Sequence, residues 1–385
     1  MNIHKETEMQ SKLKTIGFPI MREEIGETRA FLPDFIQYLT KIGYEVFIEE
    51  GYGGGLKLSF NYYKQKNRLV HCMDRRGTFQ QDYVLILRSP HDDELTWIGR
   101  DTCLISMLHF PTRSLRRKRM QELGIRAISL DAIVNDLGIR LVENMKAVGW
   151  NGMEHTFNEF DKKYPNLVRL DNRPWYVLIL GSGMVGQHAM DAATKFGCHK
   201  RNKLHIESGG AGVLVRVIGR NICSNEDVIT NLLKETDILV DATQREDSSK
   251  PIIYNKWLAF LPKEAIILDL AVDPYELDAE PLVVKGIEGI PQGNLDQYIF
   301  EADDVKWDQT VPAEIPSFNR RKTISCYSWP GLNPKTCMRH YAQQLQPLMR
   351  VLLRRNYDTL SLNGSYHERA LYRARLDRYH EKNNK

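Results

Sequence analysis

The stretch YVLILGSGMVG, residues 176–186, decides how the second half of this chain folds. Its five leading apolar residues predict a strand of a parallel sheet that is buried on both faces. This strand runs directly into Gly181, Gly183 and Gly186. In a dinucleotide site such glycines allow a tight turn, a close approach of the backbone to a pyrophosphate, and close packing of the next helix.

The residues after this turn favour the same interpretation. No proline interrupts residues 184–196, where we predict a helix. Its N-terminal amides and the positive end of its dipole would point at the phosphates. A GxGxxG motif alone also fits a chance glycine-rich turn, but the flanking strand and helix favour dinucleotide binding. We expect the cofactor to contact the turn and the start of the helix, namely Gly181, Ser182, Gly183, Met184, Val185 and Gly186.

Composition places the chain among globular proteins. Its 385 residues are enough for two domains, and 42% of them are hydrophobic and 26% charged. The net charge of +4 is too small to indicate nucleic acid, so no nucleic-acid partner is expected. The basic cluster within residues 113–119 is interpreted as a solvated helix face rather than as a polyanion site.

Cysteine spacing and apolar runs set the expected location. The six cysteines form no CxxC pair and no zinc spacing with histidine, which is typical of reduced cytosolic thiols and predicts no metal site. Residues 1–13 are interpreted as a flexible leader. The N-terminal stretch is polar and charged, so it lacks the apolar core of a signal peptide. No apolar run approaches the ~18 residues of a membrane span. We therefore expect a cytoplasmic protein with no membrane partner.

Strand and helix patterns alternate on both sides of the glycine motif, which indicates two α/β units. Gly43 is a predicted helix terminator. Residues 317–334 are expected to be irregular, and the helix after them is expected to return to the first domain. From residue 356 the chain is polar, as in a short helix or a partner-binding tail. The predicted strands are 15–20, 44–49, 83–87, 104–108, 126–130, 176–180, 213–218, 238–241 and 266–270, and the predicted helices are 32–42, 115–123, 144–160, 184–196, 225–234, 255–260 and 336–353.

Six segments of the chain follow one another in a recognisable order: IGFPIMREEIGETRAFLP (16–33), DYVLILRSP (82–90), LISMLHFP (104–111), VLILGSGMVGQHA (177–189), AIILDLAVDP (265–274) and, more weakly, WPGLNPKT (329–336). In these segments and in its layout the chain resembles the alanine dehydrogenase family, with its relatives the nucleotide-binding part of proton-translocating transhydrogenase, the saccharopine dehydrogenases and the lysine–ketoglutarate reductases. The resemblance implies a Rossmann domain, residues 150–316, inserted into a second, flavodoxin-like α/β domain of residues 1–149 and 317–385, with an active-site cleft between them. It also implies a homo-oligomer.

The resemblance implies roles for three residues. Arg29 matches an arginine that binds the substrate carboxylate, a ligand that suits a guanidinium fork. His109 matches a histidine that would exchange a proton with the substrate. Asp273 matches an aspartate near the nicotinamide, where an acid orients water or the amine or stabilises an iminium. The alternatives are a surface arginine and a structural histidine.

Two other aspartates lie at or near the ends of predicted strands. Asp241, with Thr243, stands at the carboxyl edge of the sheet, where ligands bind in open α/β folds, and both are candidate cofactor residues. Asp269 is interpreted as structural.

The chain departs from the family at the catalytic lysine. Alanine dehydrogenases carry it in the strand that matches residues 83–87, where the closest position here is Ile86. Saccharopine-type relatives place it nearer to Arg88, which stays protonated and cannot shuttle a proton. Simple oxidative deamination of alanine is therefore disfavoured. An Arg88 in the site would instead suit a second carboxylate or another anionic group, as in opine-like reductive amination.

The residues expected to bind the cofactor also differ from the usual dinucleotide-binding pattern. The strand 213–218 should end in an acid that binds the adenosine ribose diol, but Gly219, Arg220 and Asn221 follow it. A carboxylate would repel a 2′-phosphate, whereas Gly-Arg offers room and a positive partner, so the sequence favours NADP(H) and leaves NAD(H) possible. The alternative is a misaligned strand end, because the insertion 198–212 is long. That insertion is either a surface excursion or a lid over the adenosine, and its histidines, His199 and His205, are expected to be solvated.

These observations together predict an NAD(P)H-dependent oxidoreductase that acts on the C–N bond of an amino acid, imine or opine-like substrate. Its small-molecule substrate would be an amino acid or a keto acid or imine, and the segment 289–300 falls where the family's substrate loop lies. Two alternatives stay open. One is a catalytically silent dinucleotide-binding sensor or interaction protein, and the other is an atypical NAD-linked alanine dehydrogenase.

Overall fold

The computed structural model describes residues 13–111 and 113–379, except for the side chain of Arg220. Apart from Leu13, the predicted leader lies outside the described residues. The chain divides into two compact units. The first comprises the residues up to Glu23, Thr28–Glu143 and the residues from Met338 onward, and the second comprises Glu24–Glu27 and Asn144–Cys337.

A six-stranded parallel sheet forms the centre of the first unit. Its strands are β1 Lys14–Phe18, β2 Tyr44–Glu49, β3 Val70–Met73, β4 Tyr83–Arg88, β5 Cys103–Met107 and β6 Arg126–Ser129. Their order is β3-β2-β1-β4-β5-β6. The predicted α/β class is confirmed, but this is the Rossmann order and not the 2-1-3-4-5 order of flavodoxin. The flavodoxin-like label is therefore corrected, because the chain winds outward through β2 and β3 before it crosses to β4.

Helices connect these strands and close the unit. The chain leaves α1 (Pro33–Ile42) at Gly43, whose φ of 113° is left-handed and whose amide donates to the carbonyls of Leu39 and Thr40, so the predicted terminator is confirmed. The long closing helix α11 (Pro334–Arg354) accepts hydrogen bonds from the hydroxyls of Tyr44 (2.9 Å, to Met349) and Tyr83 (2.8 Å, to Leu352). It therefore packs on the first sheet, as predicted. These helices are α1 Pro33–Ile42, α2 Phe60–Lys64, α3 Arg75–Thr78, α4 Ser114–Glu122, α11 Pro334–Arg354 and α12 Tyr366–Arg373.

The second unit is built on another six-stranded sheet. Its strands are β7 Trp175–Leu180, β8 Val213–Ile218, β9 Ile238–Asp241, β10 Ile266–Asp269, β11 Ile299–Phe300 and β12 Lys322–Ser325, in the order β11-β12-β10-β9-β7-β8. All neighbours are parallel except β11 and β12. Its helices are α5 Met145–Lys163, α6 Met184–Ala193, α7 His199–Glu207, α8 Arg220–Cys223, α9 Glu226–Leu233 and α10 Trp307–Thr310, and Asn255–Phe260 is a 3-10 helix.

Strand β7 is buried on both faces, as its apolar run predicts. Val177 and Ile179 point into a core that also contains residues of α5 and α6. Leu178 and Leu180 point into a second core, with residues of α9 and the 3-10 helix. Because side chains alternate along a strand, a run of five apolar residues covers both faces.

The unit boundaries differ from the predicted domains at Glu24–Glu27, which belong to the second unit, and in two further places. The second unit begins at Asn144 rather than at residue 150, because α5 belongs to it as a whole. It also extends to Cys337, because β12 pairs with β10 along its length (Ile267 opposite Thr323). The expectation that residues 317–334 are irregular is therefore wrong for β12. Its sequence KTIS carries one apolar side chain, so the strand depends on its neighbours and has no recognisable pattern of its own.

Within residues 13–111 and 113–379, no helix has both the length and the apolar character needed to cross a membrane.

Candidate functional site

The strand order of the second unit indicates a ligand site at the carboxyl ends of β7 and β9. From β7 the chain passes to β8 on one side and then crosses to β9 on the other. The strand order therefore reverses between β7 and β9, and open α/β sheets bind ligands in the crevice at such a point. The glycine turn follows β7, and Asp241 is the last residue of β9, opposite Leu180.

The three glycines of the turn meet three different needs. Gly181 has a φ of 98°, and a Cβ there would lie 2.7 Å from the carbonyl oxygen of Ala242. A Cβ on Gly186 would lie 2.1 Å from the carbonyl oxygen of Gly181, so only glycine lets α6 pack this closely on the turn. By contrast, a Cβ on Gly183 would meet no atom within 4 Å. Gly183 thus borders open space, on the side where a turn of this kind would approach a pyrophosphate.

The start of α6 has the features of an anion site. Gly183 is its N-cap and provides no side-chain hydrogen bond to the first amides. Ser182, Gly183 and Met184 are exposed, and Val185 is half-buried. The uncapped amides and the positive end of the helix dipole favour a phosphate at this position. The predicted cofactor residues of the turn are therefore brought together around one helix N-terminus.

The end of β8 lies beside the same turn. Ile218 is in register with Leu180, and its carbonyl oxygen accepts a hydrogen bond from the amide of Gly181 (2.9 Å). Gly219 and Asn221, which follow this strand, are exposed. A Cβ on Gly219 would meet nothing within 4 Å. The strand end is therefore next to the glycine turn, and no acid occupies the three positions after it.

Asp241 lies beneath the crevice. Its side chain accepts hydrogen bonds from the amide (3.0 Å) and the hydroxyl (2.7 Å) of Thr243, both on Oδ1. Its Oδ2 is buried with no hydrogen-bond partner, and a Cβ on Gly286 would lie 2.3 Å from that oxygen. Burial, and then the neighbouring carboxylate of Asp269, raise the pKa of Asp241 to about 7. Asp241 thus supports the loop that carries Thr243 and is 1% exposed.

This raised pKa predicts how stability depends on pH. A group whose pKa is higher in the folded than in the unfolded protein stabilises the folded state. This contribution is complete below the pKa of the unfolded protein, about 3.9, and is lost as the pH rises through the pKa of the folded protein. The free energy of unfolding of the wild type should therefore fall relative to that of Asp241→Asn by roughly 1–3 kcal/mol between pH 5 and pH 8.5. Urea unfolding followed by tryptophan fluorescence measures this difference. Asp278→Asn, at an exposed position, is the control, and parallel pH curves for wild type and Asp241→Asn would contradict the prediction.

Unlike Asp241, Asp269 has a counter-charge and hydrogen bonds to both of its carboxylate oxygens. It lies on β10 directly opposite Asp241 and is 2% exposed. Lys285, itself 1% exposed, donates to its Oδ2 at 2.8 Å, and the hydroxyl of Ser325 donates to the same oxygen at 2.9 Å. The amide of Val272 donates to Oδ1 at 2.8 Å. A buried carboxylate with three donors, one of which is a cation, is structurally satisfied, which agrees with the structural role expected for Asp269.

Asp273 follows on the same loop and is partly accessible. Its side chain is 24% exposed and its Oδ2 lies 2.8 Å from Nη2 of Arg245. Burial raises the pKa of Asp273, and the Arg245 guanidinium opposes this rise. The residue before it, Val272, has a left-handed φ of 56°, which is rare for a β-branched side chain. Such strain persists only where neighbouring contacts impose it.

In the first unit, Arg88 and His109 stand at the carboxyl ends of the neighbouring strands β4 and β5. The strand order reverses between β1 and β4. Arg88 is the last residue of β4 and is half-buried, whereas Ile86 is 2% exposed within the strand. Of the two positions considered for the missing lysine, only Arg88 is therefore at the carboxyl edge. Arg29 stands between β1 and α1 and is 5% exposed, so it is not the surface arginine of the alternative interpretation.

His109 follows β5 at the same edge and is paired with a buried acid. Its Nδ1 lies 3.4 Å from Oδ2 of Asp131, and its amide donates to Oδ1 at 3.2 Å. Although burial alone would raise the pKa of Asp131, His109 and the Ser129 hydroxyl (2.7 Å) hold that pKa well below its usual range. His109 has a left-handed φ of 47° and its ring is 41% exposed. An exposed imidazole oriented by a buried carboxylate is the arrangement of a general acid–base.

Sequence reasoning missed three residues of this chemistry. Asp131 follows β6, the strand next to β5, so an acid just after the neighbouring strand was the available signal. Arg245 and Lys285 stand in stretches of irregular structure, where a charged residue ordinarily predicts exposure. Their burial depends on carboxylates from other segments, Asp273 for Arg245 and Asp269 of β10 for Lys285, which no local pattern shows.

The insertion 198–212 is not an open loop. It contains α7, and His205 within it is 2% exposed. The ring of His205 bonds the carbonyl of Asn166 (3.0 Å) and accepts from the amide of Gly212 (2.9 Å). The expectation that His205 is solvated is therefore wrong, because its ring joins α7 to the segments on either side. Within residues 13–111 and 113–379, no group of three His, Cys, Asp or Glu side chains could hold a metal ion.

Sequence comparisons find a family match in the first unit. Residues 20–148 match the family model "Alanine dehydrogenase/PNT, N-terminal domain". Alanine dehydrogenase 1 of Staphylococcus aureus (strain N315) is 26% identical over 124 residues, which are 32% of this chain and 33% of that protein. The matched segment thus spans about a third of the length of this curated relative.

Comparison with solved structures covers more of the chain. An L-alanine dehydrogenase superposes with a TM-score of 0.67 at 18% identity, over 94% of each chain. A transhydrogenase from Sinorhizobium meliloti superposes with a TM-score of 0.58 at 13% identity, over 88% of this chain and 94% of that one. At these identities the likeness shows a shared fold.

Proposed function

We propose that this chain, whose residues 20–148 match the family model "Alanine dehydrogenase/PNT, N-terminal domain", is a pyridine-nucleotide-dependent oxidoreductase that acts on the C–N bond of an amino acid, imine or opine-like substrate. The glycine turn carries the proposal. At the switch point of the second sheet, Gly181 and Gly186 are required by close backbone contacts, while Gly183 opens onto free space. This combination suits a bound pyrophosphate and serves no evident packing purpose at Gly183.

The cofactor would be held at the carboxyl edge of the second sheet. The amides at the start of α6 would bind the pyrophosphate, and the residues after β8 would contact the adenosine ribose. A bound reduced pyridine nucleotide supplies a hydride to the carbon that carries nitrogen. Asp273 stands on the loop after β10, where its carboxylate would stabilise positive charge on an iminium.

The substrate would be held at the carboxyl edge of the first sheet. Arg29 would bind its carboxylate with two parallel hydrogen bonds. His109 would exchange the proton of the amine or carbonyl, and Asp131 would orient the ring and stabilise the imidazolium. Arg88 cannot exchange a proton but can bind an anion, which favours a substrate with a second carboxylate.

Turnover with a panel of substrates tests this proposal. Wild-type protein is mixed with NADPH or NADH, 2-oxo acids and ammonia or amino acids, and the nicotinamide absorbance band is followed. Loss of absorbance only when an oxo acid and an amine are both present supports the proposal. Tight cofactor binding without turnover in any mixture would favour the silent dinucleotide-binding protein. Turnover restricted to NADH, pyruvate and ammonia would favour an atypical alanine dehydrogenase.

We also propose a preference for NADP(H). Gly219, Arg220 and Asn221 follow β8, whose last residue, Ile218, accepts a hydrogen bond from the amide of Gly181 in the glycine turn. The absence of an acid at these positions removes a repulsive partner for the 2′-phosphate, and Arg220 adds a positive one.

Arg220→Asp should change the cofactor preference. The acid would repel the 2′-phosphate and accept from the ribose diol, so the ratio of the Kd for NADPH to that for NADH should rise at least about tenfold. Isothermal titration with both cofactors measures it. Arg220→Gln is the control, because it removes the cation without adding an acid and should weaken NADPH without improving NADH. An unchanged ratio in Arg220→Asp would contradict the NADP(H) preference.

A further inference from the structure

The loop that carries Asp273 is held in an unusual conformation. Val272 adopts a left-handed φ of 56° immediately before Asp273. A valine rarely adopts this conformation, because its branched Cβ crowds the backbone. The loop therefore needs contacts from elsewhere in the unit to keep this shape.

Two buried side chains impose the backbone shape. The amide of Val272 donates to Oδ1 of Asp269 at 2.8 Å. Lys285 donates both to Oδ2 of Asp269 (2.8 Å) and to the carbonyl oxygen of Asp273 (2.9 Å). Both side chains of this pair are at most 2% exposed. The pair therefore ties the loop to β10 from both sides of Val272.

A third side chain holds the carboxylate itself. Arg245, on the loop after β9, is 4% exposed, and its Nη2 lies 2.8 Å from Oδ2 of Asp273. Nη2 also donates to the carbonyl of Val284. Its Nη1 donates to the carbonyl oxygens of Ser248 (3.2 Å) and Lys250 (2.7 Å). These main-chain contacts lock the guanidinium in place, so the ion pair fixes one oxygen of Asp273 and leaves the partly exposed carboxylate in one orientation.

We propose that Arg245 is a positioning residue for the reaction: it orients the carboxylate of Asp273, while the Asp269–Lys285 pair fixes the backbone beneath it. This inference rests on the proposed function, since it assigns Arg245 a role in the same site. Arg245 does not stand in any segment that carries the family resemblance. Its role follows from its contacts in this chain.

The charges around Asp273 make the inference testable by pH. Arg245 and Lys285 favour its ionised form, whereas Asp269 and Asp241 oppose it. Burial raises the pKa of Asp273, and Arg245 is the first opposing influence. Loss of the guanidinium should therefore raise this pKa further. If the ionised carboxylate stabilises a cationic iminium, activity should then be lost at a higher pH on the acidic side.

Three variants separate positioning from general structural support. Arg245→Gln removes the cation, and Arg245→Lys keeps the charge without the fork. Arg321→Gln is the control, because Arg321 is a partly buried arginine of this unit that also bonds main-chain carbonyls, those of Leu261, Pro262 and Arg320. We expect Arg245→Gln to lower kcat about tenfold, to leave cofactor Kd and substrate KM within about twofold, and to move the acidic limb of the pH–rate profile upward. Arg245→Lys should return the acidic limb of the pH–rate profile to its wild-type position. Arg321→Gln should change neither kcat nor the acidic limb.

A titration of the Asp273 carboxyl group, followed by NMR, tests the inference without requiring turnover. In protein with 13C-labelled aspartate carboxyls, the resonance that disappears in Asp273→Asn should titrate at higher pH in Arg245→Gln than in wild type. An unmoved titration, or a pH–rate limb that shifts equally in Arg321→Gln, would overturn the inference. A wild type without turnover but with the shifted titration would instead overturn the proposed function and retain the orienting contact.

Discussion

Replacing His109 with asparagine is expected to lower kcat of the proposed reaction by about 10²- to 10⁴-fold, because the variant loses the group that exchanges the substrate proton. Asparagine tolerates a left-handed backbone, so the φ of 47° at this position can be kept. Its amide can still donate to Asp131, which avoids leaving a buried carboxylate without its neighbour. The loss should therefore appear in kcat and not in the melting temperature. Steady-state rates and thermal unfolding measure both.

The chain offers a matched control for this substitution. His71 of β3 also pairs with a carboxylate, that of Glu45, at 2.9 Å. The exposed fractions of the two histidine side chains are similar, 37% for His71 and 41% for His109. His71→Asn should keep kcat within about twofold of wild type. Equal losses in the two variants, or full activity in His109→Asn, would remove His109 from the proposed mechanism.

Gly183→Asp is expected to weaken binding of NADPH and NADH at least about 100-fold, which corresponds to about 2.8 kcal/mol. The new carboxylate would stand at the N-cap of α6, in the open space where the pyrophosphate is proposed to bind. Two like charges at 4 Å repel by about 4 kcal/mol at an effective dielectric of 20, and the phosphates are displaced as well. The fold should not suffer, because Gly183 has a φ of −70° and aspartate is a favoured N-cap residue.

The variant Gly183→Asn separates the effect of the new negative charge on cofactor binding from the effect of the larger side chain. Asparagine has nearly the shape of aspartate and is an equally good N-cap residue, but it carries no charge. It should weaken the cofactor less than aspartate does, and the melting temperatures of the two variants should agree within a few degrees. Calorimetric titration gives the affinities. Wild-type affinity in Gly183→Asp would show that the pyrophosphate does not lie at this turn.

Local features of the chain were predictable because their physics is local. A run of apolar residues such as Val177–Leu180 must be buried on both faces as a strand, and glycines after it permit a turn that other residues cannot form. Gly43 ends α1 for a similar reason, since its left-handed φ is a property of the residue itself. These predictions needed no knowledge of neighbours in space.

Other features depended on neighbours that are distant in the sequence. The strand β12 is polar and short, and it exists because β10 provides hydrogen-bond partners along its length. His205 is buried because α7 packs against a segment 39 residues away. Asp131 orients His109 only because β5 and β6 are adjacent in the sheet.

By itself, the sequence determined the α/β class, the strand that leads into the glycine turn and the residues placed at the strand ends, since hydrophobic periodicity and glycine conformations act over a few residues. Only the tertiary structure decided the strand order and the partners of the buried charges. Lys285 with Asp269, and Arg245 with Asp273, are pairs of which each member is ordinary in its own segment. A charge leaves water only when a counter-charge and its hydrogen bonds are already in place, and those come from loops that the fold brings together.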